Sequence, residues 1–512
     1  MRPRAPAMRL LLLGTLCWGM GCGGDGLAPP VGQVVEHVVD RLGLAPPASD
    51  AVSDTLSLPP AREGNEVQLL INGEAAFAAR HRLLSEAKRS IYVQVLIFKA
   101  DTTGRALADA LIARKKADPS MDIRVIVDAY ANIQDVGAQL MYTRMKNAGI
   151  EVEGFEAFYL HWLNELNLDD WLAGNKRYHE KYWIIDGEKA VVGGMNIGDE
   201  YARCSTDPAL NWRDQDVLIA GPIAGDVERA FLDNFAHFKA IKAAKPVAFN
   251  SDAYWALYRK LPGGKALLER ALSAQQKVRD TLEDAKTWAD CDGRPVESPR
   301  LDDVTVRFVR SRPRTGEQHI EQLYLDLIGS AQTRVLIENA YFVPSPAMVD
   351  ALAAAAQRGV QVQVINNSRA TNDLPPVTIA GRLRYLKLVD AGVEVYEWHG
   401  ERFGEGTLHA KHAVFDERVS IIGSYNLDPR SLRLNSEDVV VIVDARIGAA
   451  LWEYGQTKDL PMAERVSREQ ALAWADPAQL PRAEEPLPPW KDPRFDRKAL
   501  EYFLLRRIEG NL

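Results

Sequence analysis

The chain reads as an α/β protein made of two similar α-β-α halves. Each half is expected to hold a mixed, largely parallel sheet, with a pseudo-twofold axis relating them and an active site between. Three observations predict this. A strand–helix–strand order occurs twice, over residues 90–98, 106–116 and 123–128, and again over 334–342, 347–358 and 360–365. Each copy runs on into a matching segment, Ala148-Gly149-Ile150-Glu151-Val152 and Ala391-Gly392-Val393-Glu394-Val395. Each then reaches the same spaced pattern, H-x-K-x4-D-x6-G-[GS]-x-N: His179, Lys181, Asp186 and Asn196, then His409, Lys411, Asp416 and Asn426. Two such matches arise by chance in about one of several thousand chains of ordinary composition. An internal duplication of β-α-β-α-β units leaves this trace.

The chain has 512 residues, room for two domains or one large duplicated one. It is 46% hydrophobic and 26% charged, with a net charge of −8. An acidic chain is a poor general binder of nucleic acid, which needs basic surface to displace counterions. No nucleic-acid partner is expected.

Residues 1–22 are read as a leader. Arg2, Arg4 and Arg9 precede an apolar run that is too short to cross a bilayer, and the run ends at Gly21-Cys22. It resembles a bacterial lipoprotein signal, in which Cys22 would be lipidated. This implies an exported protein, lipid-anchored to a bacterial membrane and facing the periplasm or the outside. Residues 23–64, with three Pro-Pro pairs, are expected to be a tether. Residues 65–245 form the first half, 246–300 a helical connection and 301–460 the second half. Residues 461–512 are read as a Pro-rich tail with a C-terminal helix.

Just before His179, Phe155, Phe158, Tyr159, Trp162, Leu163 and Leu166 follow helical spacing. A buried core helix explains this stripe, and so does an interfacial helix at the mouth of the site, since Trp and Tyr favour headgroup depth. The equivalent place in the second half lacks the stripe. Cys204 and Cys291 remain after processing; export permits a disulfide, and the sequence leaves their pairing open. No Cys/His spacing suits zinc, and no glycine-rich nucleotide loop is present.

The motif spacing carries chemistry. Residues 182–185 read as a strand closed by an Asp186-Gly187 turn. Positions two apart on a strand share a face, so His179 projects with Lys181, and His409 with Lys411. Two such pairs side by side suit a phosphodiester. The lysines would hold its anionic oxygens, while one imidazole attacks phosphorus and the other protonates the leaving alcohol. Asp186 and Asp416 lie an odd number of positions beyond their histidines, so a turn or packing role is expected for them.

The doubled H-x-K-x4-D pattern resembles the phospholipase D superfamily. The resemblance runs from about residue 65 to 455. It is most specific at residues 196–201, at Trp212-Arg213-Asp214, at residues 423–431 and at residues 434–437. There it resembles the bacterial cardiolipin synthases, in the branch without N-terminal transmembrane helices. The resemblance implies a phosphohistidine intermediate, no metal or other cofactor, and His179 as the nucleophile. It also implies that Asp214 and Glu437 orient the histidines, and that Asn196, Ser424 and Asn426 support the phosphate pocket. The expected partners are phospholipid substrates and a membrane surface. A monomer is expected, because one chain carries both motifs. The expected activity is phosphatidyl transfer of the cardiolipin synthase type. Phospholipase D hydrolysis, with water as acceptor, is the alternative; a nuclease and a non-catalytic lipid-binding lipoprotein rank behind both.

Overall fold

A computed structural model describes residues 58–128, 136–154, 177–205, 207–244 and 299–475. The expected leader with Cys22, the aromatic stripe, most of the expected helical connection, Cys291 and the expected C-terminal helix lie outside these residues.

The first half contains β1 (Arg62–Ile71), α1 (Asn72–Glu86), β2 (Ser90–Val95), α2 (Thr102–Ala117), β3 (Asp122–Val127), α3 (Val136–Asn147) and β4 (Glu151–Gly154). It continues through β5 (Tyr182–Ile185), β6 (Lys189–Gly193), the short α4 (Asp199–Ala202), β7 (Gln215–Ala220) and α5 (Pro222–Ala244). The second half repeats the order: β8 (Arg300–Arg312), β9 (Glu317–Gln318), α6 (His319–Ser330), β10 (Arg334–Asn339), α7 (Pro346–Gln357), β11 (Gln361–Asn367), α8 (Pro375–Asp390) and β12 (Glu394–Trp398). Next come β13 (Lys411–Phe415), β14 (Val419–Gly423), α9 (Pro429–Arg433), β15 (Glu437–Val443), α10 (Ala445–Tyr454), β16 (Ala463–Arg465) and α11 (Arg468–Ala475).

All of the strands among the described residues belong to one sheet. Its order is β16-β12-β11-β10-β13-β14-β15-β8-β1-β7-β6-β5-β2-β3-β4, with β9 paired to β8 off this path. From the β8–β1 pair outward, the two directions match strand for strand as far as β12 and β4, with β16 added beyond β12, so the pseudo-twofold axis passes between β8 and β1. Two corrections to the expected layout follow. The halves do not have separate sheets, because β1 and β8 pair antiparallel across the middle. Parallel pairing is also confined to β2–β3–β4 and β10–β11–β12, the strands joined by helical crossovers. The strands joined by tight turns (β5–β6 and β13–β14) and those flanking them run antiparallel.

The layers are helix, sheet, helix. Phe77 and Leu83 of α1, Leu107 and Leu111 of α2, and Met141 of α3 pack on one face of the first half. Ile320 and Leu323 of α6, Leu352 of α7 and Tyr385 of α8 pack on the second half. One core shared by both halves fills the opposite face, where Phe231 and Phe235 of α5 and Leu451 and Trp452 of α10 meet strands from each half. Strands covered on both sides have no polar face to show, which is why β15 reads Glu-Asp-Val-Val-Val-Ile-Val. Residues 463–475 were expected in the tail. They belong to the body instead: β16 adds to the edge strand β12, and Ala471 of α11 is buried in the second-half core.

Asp186 and Asp416 sit in equivalent turns, both with left-handed φ (57° and 51°). Asp186 accepts from the backbone N–H groups of Lys88, Arg89 and Ser90 at 2.9, 2.6 and 2.8 Å. Asp416 accepts from those of Gln332, Thr333 and Arg334 at 2.9, 2.7 and 3.0 Å. Each carboxylate therefore fixes where the neighbouring strand, β2 or β10, begins. The turn role expected from spacing agrees with this geometry. Asp186→Ala or Asp416→Ala removes three backbone contacts, and at Asp416 also one from Thr333 Oγ1, and puts Ala where a short polar side chain is tolerated better. We expect each to cost about 1–3 kcal/mol of stability. Turnover per folded molecule should stay within a few-fold of wild type, measured as thermal melts beside activity normalised to folded protein.

Candidate active site

The backbone places the two histidines against the seam between halves. His179 N donates to Ser436 O at 2.8 Å, and Ser436 N donates to Arg177 O at 2.8 Å. The other half mirrors this: His409 N donates to Arg213 O at 2.6 Å, and Arg213 N donates to Thr407 O at 2.9 Å. Each histidine thus lies just before its strand (β5 or β13), zipped to the residue preceding the opposite half's acidic strand start. Both are nearly buried, at 8% and 4% exposure.

This zipping crosses the carboxylates over. His179 Nδ1 lies 2.8 Å from Glu437 Oε2, and His409 Nδ1 lies 2.7 Å from Asp214 Oδ2. With Nδ1 donating to a carboxylate, Nε2 of each ring is left to act, that of His409 lying 3.2 Å from Lys411 Nζ. The sequence pointed to Asp214 and Glu437 as orienting groups; the structure adds that each serves the histidine of the other half.

The lysines share the same small volume. Lys181 Nζ donates to His179 O at 2.6 Å, and Lys411 Nζ donates to His409 O. Burial pushes both ammonium groups down to about 8, against the pull of nearby carboxylates. Burial also lowers His179, with Glu437 opposing and Lys181 reinforcing, and holds His409 well below its ordinary value, helped by Lys411, Lys181 and His179. Lys181 and His179 of one half thus act on His409 of the other, and Lys411 acts on His179, so each pair lies within electrostatic reach of its counterpart. An anion arriving there meets two ammonium groups that already lack full solvation, so little water must be displaced to stabilise it.

The two carboxylates have unlike surroundings. Glu437 accepts from Ser424 Oγ at 2.5 Å, Ser431 Oγ at 2.7 Å and Asn435 Nδ2 at 3.2 Å, besides its histidine. Burial would raise it, but His179, Lys181 and the Ser424 hydroxyl outweigh burial and hold it below its ordinary value. Asp214 accepts from Gln215 N at 2.7 Å. Burial pushes it up to about 6, against the lowering effect of Lys411. Part of the difference traces to one motif position. Ser424 of the second motif is Gly194 in the first, and a Cβ there would lie 2.5 Å from Asp214 Oδ1.

Two expected phosphate-pocket residues are placed otherwise. Ser424 is spent on Glu437 and on the Asp438 backbone N–H, which reaches its Oγ at 3.0 Å. Asn196 accepts from Ile97 N at 3.1 Å and donates to Tyr201 Oη at 2.9 Å. It therefore holds Tyr201, whose ring stands edge-on to His409 with centroids 5.2 Å apart. Asn426 differs: it is buried, and its side-chain oxygen has no hydrogen-bond partner among the described residues.

Several site residues had no role in the sequence reading. Trp212 and Tyr341 stand 5.1 and 6.4 Å from the His409 ring and complete an aromatic wall with Tyr201. Ser431 and Asn435 lie in the segments that carry the family resemblance, yet their shared target, Glu437, shows only in three dimensions. Among the described residues no group of three His, Cys, Asp or Glu side chains is arranged to hold a metal ion.

Comparison with known proteins agrees with this geometry. The family described as "Cardiolipin synthase, PLD-like domain" matches residues 81–232 and 324–456, one segment in each half. The cardiolipin synthase A of Pseudomonas syringae pv. syringae (strain B728a) is 30% identical over 412 residues, covering 80% of this chain and 72% of that protein. That of Pseudomonas putida (strain GB-1) is 31% identical over 421 residues, covering 81% and 73%. Among solved structures, the phosphatidylserine synthase of Haemophilus influenzae Rd KW20 shares the fold, with a TM-score of 0.56 at 18% identity over 87% of this chain and 94% of that one. Paired H-x-K motifs, the duplicated sheet and these matches together identify the chain as a member of the cardiolipin synthase family of phospholipase D-like proteins.

Proposed function

We propose that this protein is a phosphatidyltransferase that works on phospholipids through a phosphohistidine intermediate, in the manner of a cardiolipin synthase. One observation carries the reading. Two imidazoles, each held at Nδ1 by a carboxylate, share one nearly buried volume with two ammonium groups. That set supplies a nucleophile, an acid–base group and an anion cradle. The relatives named cardiolipin synthase A support the choice of substrate class.

In the proposed cycle, His179 Nε2 attacks phosphorus and forms a P–N bond. The P–O bond to the first alcohol breaks, and that oxygen takes a proton from His409 Nε2. The hydroxyl of a second lipid, on phosphatidylglycerol, then gives its proton to His409. Its oxygen attacks phosphorus, and the P–N bond to His179 breaks. Lys181 and Lys411 neutralise the charge that grows on the phosphoryl oxygens. An arriving phosphodiester anion also offsets the two ammonium charges that depress His409, so substrate binding favours the protonated ring needed in the first step. The near-complete burial of both histidines favours a lipid hydroxyl over water as acceptor. Because both motifs lie in one chain, a monomer suffices.

A membrane surface is the proposed partner. Among the described residues, the large hydrophobics left exposed are Leu374, Phe403 and Leu472. Leu374 follows Asp373, whose carboxylate receives Tyr341 Oη at 2.7 Å beside His409. Phe403 closes the turn Gly400–Phe403, on the chain that leads into His409. Both therefore sit on loops tied to the site. The lipoprotein-like leader ending at Cys22 supports an exported, lipid-anchored protein, and so does the disulfide-bonded state of Cys204, since disulfides persist in oxidising compartments.

Lipid mass spectrometry on vesicles of phosphatidylethanolamine and phosphatidylglycerol tests the reaction. Wild type should yield cardiolipin; phosphatidic acid as the main product would replace transfer with hydrolysis. His179→Asn and His409→Asn should each lose at least about 99% of turnover with little change in melting temperature, because removing a covalent nucleophile or its acid removes the pathway. A variant that kept more than about a tenth of the rate would refute the two-histidine scheme. A separate test addresses the surface. Leu374→Ser with Phe403→Ser should weaken activity on vesicles about tenfold, spare a soluble short-chain substrate and leave the melt unchanged, since both side chains face solvent. Unchanged vesicle activity would remove these loops from the membrane contact.

A further inference from the structure

Behind the His409–Asp214 pair lies a buried charge cluster that the reaction scheme does not use. The Arg213 guanidinium reaches Asp459 in a fork, with Nε 3.0 and 3.1 Å from the two carboxylate oxygens and Nη2 2.9 Å from Oδ2. Its Nη1 donates to Asp214 O at 2.8 Å, and Cζ lies 4.8 Å over the Tyr454 ring. Nη2 is also 3.6 Å from Glu338 Oε2, whose carboxyl stands near His412. The side chains of Arg213 and Asp459 are only 3% and 2% exposed.

The backbone of the same arginine holds His409. Arg213 O accepts from His409 N at 2.6 Å and from Ala410 N at 3.2 Å. One residue thus grips the histidine's main chain, the main-chain carbonyl of the histidine's carboxylate partner, and a carboxylate from the other half. Asp459 ends a single π-helical turn, Gly455–Asp459, a rare form that arises where a side chain must be placed out of helical register. Gly455 permits the turn's close approach, since a Cβ there would lie 2.5 Å from Leu336 and 3.0 Å from Glu338 Oε1.

The pseudo-symmetric site has no such clamp. There the residue that accepts from His179 N is Ser436, which has no long side chain. Glu437 is instead steadied by Ser424, Ser431 and Asn435. Asp214, whose motif supplies Gly194 in place of a serine, has no such hydroxyl donor among its recorded partners. The two pairs reach the same geometry by different supports. On the strand pairs, Gln94 and Tyr182 of the first half correspond to Glu338 and His412 of the second. The His179 side has a buried pair of its own, with Arg310 Nε donating to Glu180 at 2.8 Å beside Gln94, but there the residue that accepts from the histidine's main chain is Ser436 and not the arginine.

We propose that Arg213 and Asp459 are positioning residues for His409, a buried clamp that fixes where its Nε2 meets the departing and arriving hydroxyl oxygens. Neither touches substrate. The inference rests on the reading of His409 as the acid–base group. Loosening the clamp then damages proton transfer to the leaving alcohol more than the attack of His179 on phosphorus.

That asymmetry gives the test. The full chain is assayed on a phospholipid with an alcohol leaving group and on the p-nitrophenyl ester of a short-chain phosphatidic acid, whose leaving group departs as an anion without a proton. Asp459→Asn should lower kcat on the phospholipid about 10- to 100-fold with KM nearly unchanged. The first-turnover burst of p-nitrophenol should fall less than about threefold. Asp459→Glu should recover part of the loss. Arg213→Lys keeps the charge but not the fork, and should show the same split even if Asp459→Asn folds poorly. Equal loss on both substrates, or no loss on either, overturns the clamp. His409→Asn is the reference. If it shows the split and the clamp variants do not, the clamp alone fails. If it shows no split, His409 is not the acid, and the clamp falls with that reading.

Discussion

The site depends on one constraint: each histidine must be held by a carboxylate that its own half does not contain. Asp214 immediately precedes β7 and Glu437 opens β15, the strands that follow each motif's glycine turn, and both reach across the seam. Neither half could orient its imidazole alone. This makes duplication a chemical requirement as well as a genetic history, and it explains why the seam is so continuous. Two backbone zippers, Tyr178 with Ser436 and Arg213 with Leu408, run beside the two crossed pairs and fix their register. A slip of one residue along either zipper would turn a histidine to the wrong face.

The sheet is the device that holds this register. Because β1 and β8 pair across the axis, the two halves share a strand ladder and one hydrophobic core, fed by α5 from one side and α10 from the other. Packing of this density resists small shifts, and a shift of even an ångström between imidazole and carboxylate weakens both orientation and proton transfer. The crossed pairs are not copies in energy, however. Glu437 lies in a nest of side-chain donors, while Asp214 is steadied at its main-chain carbonyl by the Arg213 guanidinium. A nucleophile and a shuttling acid–base group have different needs, and the duplicated fold has diverged at positions such as Gly194 and Ser424 while keeping the backbone pattern.

Much of this was legible in the residues. The doubled motif gave the duplication, and strand parity moved Asp186 and Asp416 out of the chemistry and into the turns where they lie. Local patterns carried that information because the signals were local. The central pair β1–β8 was not legible: β1 carries Arg62, Glu63, Asn65 and Glu66 at its start and reads as the end of a tether. The crossing of the carboxylates was hidden for the same reason. Partners 258 and 195 residues apart leave no spacing to recognise. Asn196 and Ser424 were expected at the phosphate because they sit in the motif; their side chains support Tyr201 and Glu437 instead, a choice set by neighbours from distant strands.

The crossing itself can be observed directly. In protein labelled with nitrogen-15 at histidine, a proton held between Nδ1 and a carboxylate gives a far-downfield imidazole signal. Glu437→Gln should remove or shift the signal of His179 and leave that of His409 in place, and Asp214→Asn should do the reverse. If each substitution instead disturbed the histidine of its own half, or both histidines alike, the crossed arrangement on which this account rests would be wrong.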